Sequence, residues 1–141
     1  MRHLLPLTAV VLLLFGCGDD APTDEQQVRD TLTTFAAAVE GRDYQKLCDE
    51  VFADSLLEGI QQIGLPCEVA MRTGLGEREE TKLTVGEVTV DGTTARAQIK
   101  TSATGEEPSQ DTIELTKAGG RWRVSALGGA AAPTPTPTPT P

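Results

Sequence analysis

The apolar residues of this chain change their period near Gly74, and that change limits the fold more than any other feature. Upstream, Val28, Leu32, Phe35, Ala36 and Val39 recur at offsets of 4, 7, 8 and 11, the spacing of one helical face. Downstream, Leu83 and Val85, then Val88 and Val90, alternate with polar residues as half-buried strands do. Helices followed by strands, instead of interleaved with them, imply an α+β domain with an antiparallel sheet.

Local signals place the elements. Thr23 and Asp24 are capping residues for a first helix over 24–40, with Gly41 as its left-handed stop. Asp43 can cap a short second helix that buries Tyr44, Leu47, Cys48 and Val51. Asp54 or Ser55 starts a third stretch carrying Leu56, Leu57, Ile60 and Ile63 and ending at Gly64. Pro66 then opens a helical turn holding Cys67, Ala70 and Met71.

In the strand half, Leu83 and Val85 share one parity and Val88 and Val90 the other, so a regular strand would turn half of them to the wrong face. A two-residue turn at Asp91-Gly92 pairs Val88 with Ala95. A bulge at Gly86 and Glu87 then restores Val85 and Leu83 to the same face, opposite Ala97 and Ile99. A second hairpin over 112–127 turns at Ala118-Gly119-Gly120 and brings Leu115 opposite Trp122 or Val124. Residues 102–110 read as an exposed loop or an interrupted edge.

The two ends do not belong to this domain. Residues 4–15 form an apolar run of 12 behind Arg2 and His3; a membrane-spanning helix needs about 20, so the run reads as an export signal. At Leu14-Phe15-Gly16-Cys17 it resembles a bacterial lipoprotein signal. That resemblance implies cleavage after residue 16, lipid (palmitate among the acyl groups) on Cys17, a tether over 17–23, and a protein held on the extracytoplasmic face of the cell membrane. From Pro133 to Pro141 proline and threonine alternate, so that stretch cannot join a helix or a sheet, and residues 129–141 read as an extended, disordered tail. The domain is thus expected over 24–128.

Composition removes whole classes of function. The chain carries 12 basic and 21 acidic side chains; loss of Arg2 with the signal leaves 11 against 21, a formal charge of −10. Such a surface repels phosphate backbones, so no nucleic acid is expected as a partner. His3 is the sole histidine and falls in the signal, which removes imidazole chemistry and histidine metal sites. No metal, cofactor or catalytic set is assigned. Cys48 and Cys67 remain as an even pair in an oxidising compartment, where a disulfide is the common outcome; zinc would need two further ligands, and redox pairs favour CxxC spacing. Glu77, Glu79 and Glu80, and Glu106 and Glu107, sit in polar stretches as solvated loop charge.

The pattern from Val28 to Phe35, then Glu40-Gly41-Arg42-Asp43, Cys48, Pro66-Cys67 and the closing Gly119-Gly120-Arg121-Trp122-Arg123-Val124 resembles actinobacterial lipoproteins of the NTF2-like superfamily. The resemblance implies N-terminal helices packed on a bent four-stranded antiparallel sheet around a cone-shaped cavity, with Phe35, Tyr44, Ala97 and Trp122 as candidate lining. It does not carry over chemistry, because the superfamily hosts enzymes, transport factors and binding modules alike. The leading expectation is a non-catalytic module that binds a small apolar ligand or an envelope protein. The rivals are an enzyme with Asp43 or Tyr44 as cavity acid or base, and a structural spacer or surface antigen with a filled core. Ala36, Ala95 and Ala97 fit either close helix-to-sheet contact or a void.

Overall fold

The computed structural model describes residues 21–76 and 80–128; the signal, Cys17, Glu77, Glu79 and the Pro-Thr tail lie outside the described residues. Helix α1 spans Asp24–Glu40. Its start is a reciprocal capping box, in which the Gln26 amide donates to Thr23 Oγ1 at 3.2 Å and the Thr23 amide to Gln26 Oε1 at 3.1 Å. Asp24 and Glu25 in the first turn complement the helix dipole. Val28, Leu32, Phe35, Ala38 and Val39 form the buried face. The helix ends differently from expectation. Gly41 stays right-handed at φ −79°, and Arg42 takes the left-handed conformation at φ 56°. The Arg42 amide donates to Val39 O and the Asp43 amide to Ala38 O, so the stop is a Schellman closure with arginine where glycine usually sits.

Asp43 caps α2 (Tyr44–Lys46), its Oδ1 accepting from the Lys46 amide at 3.0 Å. The helix widens at once into a π-helical turn over Leu47–Val51, closed by the Phe52 amide donating to Leu47 O at 2.9 Å. The extra residue drops Phe52 into the core, where it is 0% exposed. Helices α3 (Asp54–Gln62) and α4 (Cys67–Leu75) follow. Ile60, Ala70 and Met71 are buried and Leu56 and Leu57 half-buried, but Ile63 is 68% exposed because α3 stops at Gln62 and turns away through Gly64 at φ 78°. Cys48 and Cys67 form a disulfide with Cα atoms 6.0 Å apart, tying the π-helical turn to the start of α4.

Four antiparallel strands in the order β1-β2-β3-β4 complete the α+β fold: β1 Lys82–Asp91, β2 Thr94–Ser102, β3 Ser109–Ala118 and β4 Arg121–Ala126. The bulge lies at Gly86 and Glu87, and Leu83, Val85, Val88 and Val90 all turn to the helical side. The register is two residues from that expected: Val88 meets Ala97 and Val85 meets Ile99. The turn residues are Gly92 and Thr93, with Gly92 alone at positive φ as a type II′ turn requires. Moving a two-residue turn by one position shifts the register by two and preserves every side-chain face. The second hairpin turns at Gly119 and Gly120, φ 57° and 76°, and places Leu115 opposite Val124. A second bulge, at Ser125 of β4 opposite the Glu114-Leu115 step, bends the sheet further. Strand β3 begins at Ser109, inside the stretch read as loop. The outer edge of β4 is covered by the segment after the π-helical turn: Phe52 bridges Val124, the Ala53 amide donates to Val124 O at 2.8 Å, and Arg123 Nη1 donates to Phe52 O at 3.2 Å.

Candidate ligand-binding cavity

At one end α1 lies close on the sheet. Arg29 reaches across to donate to Gly86 O at 3.2 Å, beside Val88 and its partner Ala97. Ala95 and Ala97 are buried in β2 outside the cavity lining, and the close helix-to-sheet contacts of α1 are made with β1 and β4. The space opens at the other end, between the last turns of α1, helix α4 and the strand ends remote from both hairpin turns. It is a cavity of about 180 Å³. Phe35 and Val39 of α1 and Met71 and Leu75 of α4 form one wall; Leu83, Ile99, Ile113 and Leu127 form the other.

Its polarity is graded. The concave face of β2 runs Ala95, Ala97, Ile99, Thr101, and that of β3 runs Leu115, Ile113, Asp111, Ser109, so both rows turn from apolar to polar toward the mouth. The antiparallel register sets Ile99 beside Asp111 and Thr101 beside Ser109. Ser109 Oγ donates to Asp111 Oδ2 at 3.3 Å; Oδ1 accepts no hydrogen bond among the described residues. Thr81, Tyr44 and Arg42 complete the rim. The left-handed backbone that carries Arg42 costs of order 1–2 kcal/mol for a non-glycine residue, and strain of that kind gathers at functional sites.

Of the residues expected to line a cavity, Phe35 and Tyr44 do so, Tyr44 with the Arg72 guanidinium of α4 5.9 Å from its ring centre. Ala97 and Trp122 do not. Trp122 lies at the closed end, where its indole Nε1 donates to Asp24 Oδ1 at 3.2 Å and Lys117 Nζ stands 5.8 Å from the ring centre. Lys117 also pairs with Asp24, and this contact, followed by the indole bond, holds the Asp24 carboxyl below the usual aspartate value. The triad fastens the start of α1 to the β3-β4 hairpin and is structural. Asp43, weighed as a base, is exposed, committed to its helix cap, and outside the cavity lining. Glu80 accepts from Thr104 Oγ1 at 3.0 Å in an open polar recess. Asp111 was not among the expected lining residues. Its parity with Ile113 and Leu115 is the signal that finds it, once β3 is extended back to Ser109.

No family model and no curated protein matches this chain. Solved structures do match it. An NTF2-like protein of unknown function from Shewanella baltica superposes with a TM-score of 0.53 at 17% identity, over 72% of this chain and 87% of that one. The fold is NTF2-like. A second NTF2-like protein of unknown function, from Silicibacter pomeroyi, matches at a TM-score of 0.50 and 13% identity, over 72% of this chain and 89% of its own. A de novo designed NTF2 fold protein matches at 0.53 and 12%, over 79% and 88%. At such identities the likeness concerns the NTF2-like backbone alone and leaves the cavity chemistry to this chain's own residues.

Proposed function

We propose that this protein is a lipid-anchored extracytoplasmic module that binds a small, mainly apolar ligand in the cavity between α1, α4 and the sheet. The observation that carries the reading is the cavity itself, about 180 Å³, apolar at its base and graded to hydroxyls, the Asp111 carboxylate and the Arg42 guanidinium at its mouth. Apolar walls with a few placed polar groups are the usual make-up of a small-molecule site, and an NTF2-like fold accommodates one. A filled core, as a spacer would have, does not fit that opening. Catalysis has less support: Asp111 is half-exposed at the rim and already shares a hydrogen bond with Ser109, and among the described residues no second carboxylate lines the cavity.

The anchored part of the reading rests on Cys17 behind an apolar run of 12, and the disulfide fits an oxidising compartment. Helix α1, 17 residues and so about 25 Å long, separates the point where the tether joins the domain from the cavity mouth. Two measurements on protein from its own host test this function. Organic extraction should release a small molecule in stoichiometric amount, and Cys17→Ser should move the protein from the detergent phase to the aqueous phase. An empty extract from wild type, with a detergent-phase mutant that still carries fatty acid, contradicts the proposal.

A further inference from the structure

Resting on the ligand-binding reading, the geometry points to the class of ligand: a single six-membered ring bearing one hydrogen-bond donor, O–H or N–H, directed at Asp111 Oδ1. Size sets the first half. An apolar cavity of about 150 Å³ accommodates benzene, so about 180 Å³ takes that ring with a substituent atom or two and excludes a fused polycycle from the enclosed part. The walls that a ring would meet, Phe35, Met71, Leu83 and Ile113, offer it no hydrogen-bond donor and no acceptor stronger than the Met71 thioether.

Acceptor geometry sets the second half. An ionised aspartate has acceptors only. Ser109 occupies Oδ2, and strand parity turns Asp111 to the concave side beside Ile99, so the remaining oxygen meets the cavity at the boundary between its apolar and polar halves. A ligand acceptor or anion placed there faces a carboxylate and is disfavoured; a donor gains a charge-assisted bond. Thr101, Thr81 and Tyr44 add hydroxyls that adapt to either role, and Arg42 at the rim is already engaged by a partner of its own, so none of them alters the preference at Asp111 Oδ1.

Phenol and toluene, isosteric apart from hydroxyl for methyl, test the inference when titrated into the intact protein by amide NMR. Wild type should bind phenol roughly fivefold more tightly than toluene, the charge-assisted bond outweighing the methyl's hydrophobic gain. Asp111→Ala should reverse the order, with toluene roughly fourfold tighter, since one methylene's worth of burial then decides. Asp111→Asn, isosteric and still an acceptor, should fall between. Toluene preferred by wild type, or a phenol preference that survives in Asp111→Ala, overturns the inference and leaves the binding reading intact. Saturable binding of neither probe overturns both.

Discussion

Reduction of the Cys48–Cys67 bridge should loosen one wall of the cavity before it unfolds the domain. The bridge closes a loop of 20 residues, counted inclusively across its sequence separation of 19. In the chain-entropy account that constraint contributes about 3 kcal/mol by limiting the unfolded ensemble. For about 105 ordered residues at roughly 2 cal/mol/K each, this corresponds to a fall in Tm of about 15 °C. The effect is local as well as global. Helix α4 packs on α2, α3 and the π-helical turn more than on the sheet, and the disulfide fastens its first residue. Met71 and Leu75 of that helix line the cavity. Thermal melts followed by circular dichroism, with and without reductant and on Cys48→Ala/Cys67→Ala, measure the global term. Hydrogen exchange at low temperature measures the local one, and α4 amides should gain exchange before those of the central pair β2 and β3. A Tm change below about 4 °C, the scale expected of less than 1 kcal/mol, or α4 protection equal to that of β2 after reduction, refutes the reasoning.

Three further outcomes are expected. Phe52→Ala removes a fully buried ring and should cost about 3–5 kcal/mol, read as a lower urea midpoint at unchanged slope. Asp24→Asn should lower Tm at neutral pH. Because the folded Asp24 carboxyl titrates below its ordinary value, its contribution is present above that value and is lost as pH falls through the folded one, so the Tm difference between wild type and Asp24→Asn should shrink below about pH 4. Gly120→Ala meets no neighbouring atom but must adopt φ 76°, and should cost of order 1 kcal/mol in the same urea assay.

Much of the fold was legible because its signals are local. The bounds of α1 follow from Thr23, the helical period and the Gly41-Arg42 boundary, and the Gly86 bulge from a parity break that no regular strand tolerates. The exact register was not, because moving the turn from Asp91-Gly92 to Gly92-Thr93 leaves the apolar pattern unchanged. The π-helical turn over Leu47–Val51 was hidden for a similar reason: one extra residue in a five-residue stretch barely alters a helical period, and so Phe52 went unplaced. Ile63 keeps the period of Leu56 and Ile60 although the helix has ended, so the pattern alone does not show that it is exposed. In the cavity, Phe35 and Tyr44 were visible as large residues on buried helical faces. Asp111 was missed because the glycine, glutamates and proline of 105–108 blurred the start of β3, and Trp122 was misplaced because size gives no information about which end of a sheet is closed.

The account depends on an enterable space at the open end of the sheet, and xenon reports on that space without regard to ligand identity. Amide and methyl shifts should be followed by NMR under xenon pressure on the intact protein. Saturable shifts confined to Phe35, Met71, Ile99 and Ile113, and abolished when Leu83→Trp fills the mouth, are the predicted result. Small, linear shifts scattered over the surface, unchanged in Leu83→Trp, would show that the core is closed and would contradict the binding function.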